Sequence, residues 1–431
     1  MDLKFARGQR MTVMTETKEW SYGRVLRNGR VSALLAGDVI SNVGDGMIIT
    51  ALPLLTLRIH GDVPAALAIA AVEASPYVLA TVLAFTIGLG TLRIPPRMLI
   101  IGDCLLRGGV LVLLGLLAMG NSISLGVLIG GLLISSLLRM VAMSARRLVI
   151  TAMVQPEGRF AANALLGTSS SLAIYAIGPV LGGVLATVAN PGLALLINGS
   201  SLVVLLVAAI FAAPSKAGSV DRETIPASGL RILRRIPVAF RLFIVVFGFN
   251  LFYMPVEVAL PLMVQSSFGG SGVALGLIWS GFGVGALLGA LATSKLQRFM
   301  GYKLLIAIIA GWGGVVLLLL ISPSVPFAIA VFFLGGLIYA PFTPVVYTLV
   351  QSVLQPDEQQ PVITLWTAGS VLAAPIGLAL AGPLVQGVGA QGGLLISALL
   401  TIALVPLASA GLRGRASRVT QHQNSGQTDE R

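Results

Sequence analysis

Asp38 and Asp45 stand seven residues apart in the otherwise apolar run Val31 to Leu57, with Asn42 between them. On a helix turning about 100° per residue, both carboxylates project from nearly the same face and Asn42 extends them into a polar stripe. An ionised acid at the centre of a bilayer costs about 2.5–3.5 kcal/mol even on a mild insertion scale, so the stripe should face water or a polar partner. Asp38 also has a plainer reading, as an interfacial acid solvated near the end of its segment. Asp45, two turns deeper, is a candidate for reversible binding of a proton or cation. Glu73 lies among alanines three residues before Pro76, and two readings stay open for it. It could load a proton from one side and release it when a cationic molecule arrives, or stay neutral and serve the backbone opened by Pro76. Glu257 is a third intramembrane acid, able to face the Asp38–Asp45 stripe across a cavity.

Asp103 and Arg107 form an i, i+4 pair suited to intrahelical support. Arg139 either snorkels to the interface or balances an acid, and Arg146 and Arg147 are expected in a loop. Asn250 and Tyr253 join Asn42 and Arg139 as polar candidates for a cavity wall. Aromatic residues Phe247, Phe249, Phe252 and Tyr253 cluster with Met254. If part of this cluster lines a cavity, it suits amphipathic or cationic organic molecules better than sugars.

The elements holding these residues follow from composition. Of 431 residues, 56% are hydrophobic and 10% charged, and the mean hydropathy is +0.94, which excludes an ordinary soluble protein. Apolar stretches long enough to cross about 30 Å of hydrocarbon recur along the chain. Twelve spans are expected: Val31 to Leu57, Pro64 to Gly90, Met98 to Met119, Ser124 to Met143, Ala161 to Val188, Leu193 to Ala213, Phe240 to Val264, Val273 to Thr293, Leu304 to Ile321, Val325 to Thr348, Val362 to Val385 and Gly392 to Ala410. Each is continuously apolar rather than alternating, so the fold class is all-α membrane protein.

Arginine and lysine set the orientation. With the N-terminus inside, the first 30 residues carry seven of them, Lys216 to Arg241 six and the tail four, while the outer loops carry Arg58 alone. Both termini are therefore expected in the cytoplasm. The net charge of +12 reads as topogenic contact with the inner leaflet of the lipid bilayer, not as nucleic-acid binding. A cleavable signal peptide is not expected, since the first apolar run becomes span one.

Enzymatic chemistry has few residues to draw on. Cys104 is the one cysteine, and His60 and His422 are the two histidines, expected in an outer loop and a polar tail. Neither a disulfide, a metal site nor a nucleophile-base set can be assembled from them, and no phosphate loop is present. No enzyme activity, metal or cofactor is expected.

The halves repeat. Asn42 precedes "ALPLL" as Asn250 precedes "ALPLM", 208 residues later. "QPEGRF" at Gln155 is echoed at Gln355, and "GPVLGG" at Gly178 by "GPLVQG" at Gly382, with offsets of 200 and 204. Two six-helix bundles in parallel repeat are expected: a basic segment 1–30, a bundle 31–213, a linker 214–238, a second bundle 239–411 and a tail 412–431.

With "SNVGDGMIITALPLL", "EASP", "DCLLR", "ARRLVITAMVQPEGRFAANALL", "GPVLGG" and "GLRILRRIP", nearly the whole chain resembles the major facilitator superfamily. It is similar in particular to the drug:proton antiporter-3 branch, which includes macrolide and siderophore exporters. The resemblance implies an inner-membrane bacterial protein, monomeric, that exports small molecules by proton-coupled alternating access. It gives Asp45 the place of the family's span-one acid, and associates Gly178, Pro179, Gly182 and Gly183 with export and gating. The loop "GLGTLRIPPR" lacks the aspartate of the superfamily signature. Two other readings remain: a dedicated exporter of one metabolite, antibiotic or siderophore, and a non-transporting sensor or assembly protein on the same fold.

Overall fold

The computed structural model describes residues 22–88, 94–214, 227–296 and 301–409. Residues 1–21 of the basic N-terminus, 89–93 of the loop lacking the acid, 215–226 of the linker and the tail with His422 lie outside the described residues. All regular structure among the described residues is helical. In hydrocarbon each backbone N–H and C=O must find its partner within the protein, and a helix achieves this inside a single segment.

The long helices are α1 (Gly29–Ile59), α2 (Ala65–Gly88), α3 (Pro96–Met119), α4 (Leu125–Ala152), α5 (Pro156–Val188) and α6 (Pro191–Ala212). They continue with α7 (Pro237–Ser267), α8 (Gly272–Leu296), α9 (Tyr302–Leu320), α10 (Val325–Gln351) and α11 (Pro356–Ile402). Ten of the described segments are long and apolar enough to cross a membrane, and Ala65–Leu79 of α2 is a shorter apolar stretch. The last segment, Pro356–Ser409, runs for 54 residues and breaks at Gly389, whose φ of 77° is a left-handed conformation suited to glycine. Helix starts are marked locally. The Asn28 side chain accepts from the N–H groups of Arg30 and Val31, the Asn190 side chain from Gly192, and proline opens α3, α6, α7 and α11.

Several boundaries differ from the expected ones. The fourth span was expected to end at Met143 because of the arginines beyond it, yet α4 continues to Ala152. Arg146 is buried in it rather than placed in a loop, because a carboxylate meets it there. α4 is interrupted between Ser135 and Arg139, where Ser135 and Ser136 turn their hydroxyls back onto the carbonyls of Leu132 and Leu133. α10 is broken at the corresponding place, next to Pro341.

Buried apolar side chains form two large clusters. One is drawn from Val25 to Ala213, the other from Leu233 to Ala408 together with Ala66, Ile69 and Ala70 of α2. Thus α2 inserts one face into the core of the opposite half, and there Gly382 of α11 abuts Ala70. The second seam between halves joins α5 and α8. Pro179 has no N–H for the carbonyl of Tyr175, and a π-helical stretch, Leu172–Ile177, precedes it. The Ala176 carbonyl accepts from Ser280 of α8 at 2.6 Å, and Thr50 of α1 donates to the Pro179 carbonyl at 3.1 Å.

Around these bonds the backbones touch. A Cβ on Gly46 of α1 would lie 2.9 Å from the Gly178 Cα, and one on Gly272 of α8 would lie 2.9 Å from the Gly183 carbonyl. Gly182 faces the Met47 backbone in the same way. α5 is therefore wedged between α1 and α8 with no room for side chains at these three glycines.

Gly183→Leu should force α5 away from α8 and lower stability by about 1–3 kcal/mol. A thermal-unfolding series in detergent checks this. Gly130→Ala, where a Cβ meets open space, should leave the midpoint unchanged.

Candidate functional site: paired charges, free acids and an inter-half cavity

Three acids and three arginines meet inside the first half. The α1 stripe supplies Asp38 and Asp45, α3 supplies Asp103 and Arg107, and α4 supplies Arg139 and Arg146. Asp45 accepts from Arg107 Nη1 with both oxygens, at 2.7 and 3.0 Å, and from Asn198 of α6 at 3.1 Å. Arg139 Nη2 stands 3.5 Å away on its other side. Arg107 also lies 3.3 Å from Asp103, so the i, i+4 pair expected on α3 is present and is extended to α1. The Arg107 and Asp45 side chains are 3% and 8% exposed, whereas Arg139 is 34% exposed. Gly44 faces Asn198, and Gly108 and Gly199 face each other; these small residues let α6 approach closely enough to reach Asp45.

Asp38 is not solvated at the interface. It is buried and accepts from Arg146 at 2.9 Å, from Asn42 at 2.8 Å and from Ser170 at 3.2 Å. Asn42 donates to Ser170 as well, at 2.9 Å. With formal charges of three acids and three arginines, the cluster is neutral as a whole. Such a cluster holds its own helices together, and its acids are already engaged.

Glu73 and Glu257 differ. Neither forms an ion pair among the described residues, and the Glu73 Oε1 is buried without a hydrogen-bond partner. Glu73 continues the stripe Ala66, Ile69, Ala70 along α2, the stripe that enters the core of the second half. Glu257 belongs to α7 of the second half, with Tyr253 one turn away on its own helix. Among the described residues Glu257 makes no ion pair, while the span-one acids are held by arginines.

Between the halves lies a cavity of about 450 Å³, lined from α2, α4, α7, α10 and α11. Its wall includes Tyr77, Arg139, Asn250, Tyr339, Tyr347 and Trp366, with Met140, Met143, Val246 and Val371 among the apolar members. Asn250 turns its amide back to the Val246 carbonyl at 2.8 Å. From the wall, Tyr339 stacks on Phe249 and lies near Tyr253 and Trp312, with ring centroids 5.8, 6.2 and 5.8 Å away. Phe249 stacks on Phe342 at 4.2 Å. Phe249 and Tyr253 thus belong to an aromatic cluster, while Phe247 stacks on Phe243 apart from it.

The cavity wall occupies the half of the bundle where α1 begins; the Gly183–Gly272 and Ala70–Gly382 contacts close the other half. Sequence reasoning missed Asn198, Ser170, Tyr77, Tyr339 and Trp366. Tyr77 sits four residues after Glu73 and Asn198 is an amide in an apolar span; both were signals of the kind used for Asp45.

Two inter-half seams of small residues, a repeated broken helix and a central cavity describe a transporter of two related bundles. The Major Facilitator Superfamily profile matches residues 34–292 and again 242–429, together nearly the whole chain. The chain belongs to the major facilitator superfamily. It is a multi-pass membrane transporter of small molecules, not an enzyme. It is 24% identical to the multidrug efflux pump Tap of Mycolicibacterium fortuitum over 382 residues, 84% of this chain and 91% of Tap. In structure it is similar to the nucleoside transporter NupG, with a TM-score of 0.74, 13% identity and coverage of 89% of this chain and 99% of NupG. It is also similar to a bacterial homologue of the lysosomal transporter Spinster in an inward-facing, unoccupied conformation, with a TM-score of 0.63, 13% identity and coverage of 89% and 96%.

Removing Arg107 strands two buried carboxylates. Arg107→Met should lower stability by about 3–5 kcal/mol, and the double variant with Asp45→Asn should recover part of that loss. Thermal unfolding of the purified variants, read as a double-mutant cycle, tests this.

Proposed function

We propose that this chain exports small amphipathic or cationic organic molecules across the bacterial cytoplasmic membrane, exchanging them for protons by alternating access. One observation carries the reading: two intramembrane carboxyls, Glu73 and Glu257, form no ion pair among the described residues, and Tyr77, one turn after Glu73, and Asn250, two turns before Glu257, line an apolar, aromatic-rich cavity between the halves. A buried acid without a counter-ion is served either by a proton or by a cationic ligand, and competition between the two is the physical basis of exchange. Ring faces and methionines around the cavity suit an apolar cation. The similarity to the efflux pump Tap supports the same direction of transport.

In this reading twelve helices cross the membrane, counting α2 and the two parts of the Pro356–Ser409 segment on either side of Gly389. Both termini are cytoplasmic, the bundles are 31–213 and 239–411, and the cavity faces the cytoplasm. Glu73 and Glu257 couple substrate to protons. Asp45, which shares Arg139 with the cavity wall, links the cavity to the buried charge cluster, and Asp38 with Arg146 belongs to the scaffold. Gly178, Pro179, Gly182 and Gly183 give α5 the close contacts on which the bundles rock. The working unit is a monomer.

The test is proton release from purified protein in detergent on addition of lipophilic cations. Several cations should release protons from the wild type, and Glu73→Gln and Glu257→Gln should each reduce that release severalfold with the thermal midpoint retained. Absence of release by any compound from folded wild-type protein would reject proton-linked export. Release by one compound alone would instead point to a dedicated exporter.

A further inference from the structure

Two short helices stand in equivalent places, Tyr22–Leu26 ahead of α1 and Ala227–Arg235 ahead of α7. Each buries one large apolar anchor, Val25 and Leu233, at 0% and 1% exposure. The two anchors are 208 residues apart, the offset that also relates Asn42 to Asn250. The repeat therefore extends beyond the spans and includes a surface element on each bundle. The first helix rests on the start of α5 as well as on α1. The second packs Gly229 on the Pro361 backbone, and its Arg235 pairs with Glu358, a buried acid that accepts from the Gln355 N–H at 3.1 Å. Both helices are thus held rigidly at the same end of the molecule.

Their outer faces combine two kinds of side chain. Arg27 and Arg30 beside the first helix, and Arg231, Arg234 and Arg241 on or beside the second, are exposed. Interleaved with them are exposed Tyr22, Leu26, Leu230 and Phe240. Among the described residues, Arg27, Arg231 and Arg234 make no ion pair. Because α1 and α7 enter the bilayer directly after these helices, the guanidinium groups lie at headgroup depth and the apolar side chains at the acyl boundary. A soluble acidic partner would leave those apolar groups unexplained, whereas an acidic lipid surface takes both.

We propose that the two helices form a paired binding surface for anionic phospholipid headgroups, one site on each bundle, with arginines engaging the phosphates and apolar neighbours entering the leaflet. The inference is independent of what the cavity transports.

The test uses the full chain in mild detergent, titrated with dansyl-labelled phosphatidylglycerol or phosphatidylcholine and read by energy transfer from tryptophan. The expected result is a preference of roughly tenfold or more for phosphatidylglycerol, weakening with salt. The triple variant Arg27→Gln, Arg231→Gln, Arg234→Gln should lose the preference while keeping phosphatidylcholine binding and the thermal midpoint. The corresponding triple lysine variant should retain the preference, which separates loss of charge from loss of fold. Equal affinity of the wild type for both lipids would overturn the proposal. So would an unchanged preference in the glutamine variant, or displacement of phosphatidylglycerol by inorganic phosphate beyond that seen with chloride at equal ionic strength.

Discussion

Arg107 sits between two buried carboxylates, and the arrangement of the first half depends on it. A charge taken out of water is tolerated only where its partners are close and well aligned, and removal of any one leaves the others uncompensated. Asp45 on α1, Asp103 on α3 and Arg139 on α4 therefore cannot move independently of Arg107, and Asn198 ties α6 to the same point. The Asp38–Arg146 pair repeats the device two turns away, joining α1 to α4 and, through Ser170, to α5. Directional bonds of this kind hold a bundle together in a solvent that supplies no hydrophobic force between helices.

The second half has the same helices but another form of adhesion. At the repeat offset of 208, Asp45 corresponds to Tyr253, and at 200, Arg139 corresponds to Tyr339. Where one half places a carboxylate 3.5 Å from a guanidinium, the other places two rings with centroids 6.2 Å apart. Asn42 and Asn250 keep their common habit of donating to the residue four positions earlier, through a carboxylate in one case and a backbone carbonyl in the other. The duplicated frame thus carries a neutralised charge cluster on one side of the cavity and an aromatic wall on the other. This asymmetry leaves Glu73 and Glu257 as intramembrane acids with no ion pair among the described residues.

Between these unlike halves, α5 and α8 make contact through backbone and small residues, and α2 extends into the opposite core through Ala66, Ile69 and Ala70. Seams without interlocking large side chains let one bundle turn against the other with little repacking. In the π-helical turn before Pro179, the Ala176 carbonyl accepts a hydrogen bond from Ser280 of the other half. The same local irregularity therefore fastens α5 to α8.

Much of this was legible in the amino-acid order. Continuous apolar runs specify membrane helices because the bilayer accepts little else, and the repeated "ALPL" and "QP" segments disclose the duplication. The Asp38–Asn42–Asp45 stripe and the Asp103–Arg107 spacing follow from helical periodicity, which is local. The pairings themselves were not legible: Asp38 with Arg146 is separated by 108 residues and Asp45 with Asn198 by 153. Nothing in a linear pattern says whether an intramembrane acid meets an arginine or stays alone. Only the packing of six helices decided that Asp38 and Asp45 are neutralised while Glu73 and Glu257 are not, because compensation of a buried charge is a property of distance in space, and sequence periodicity reaches no further than one helix.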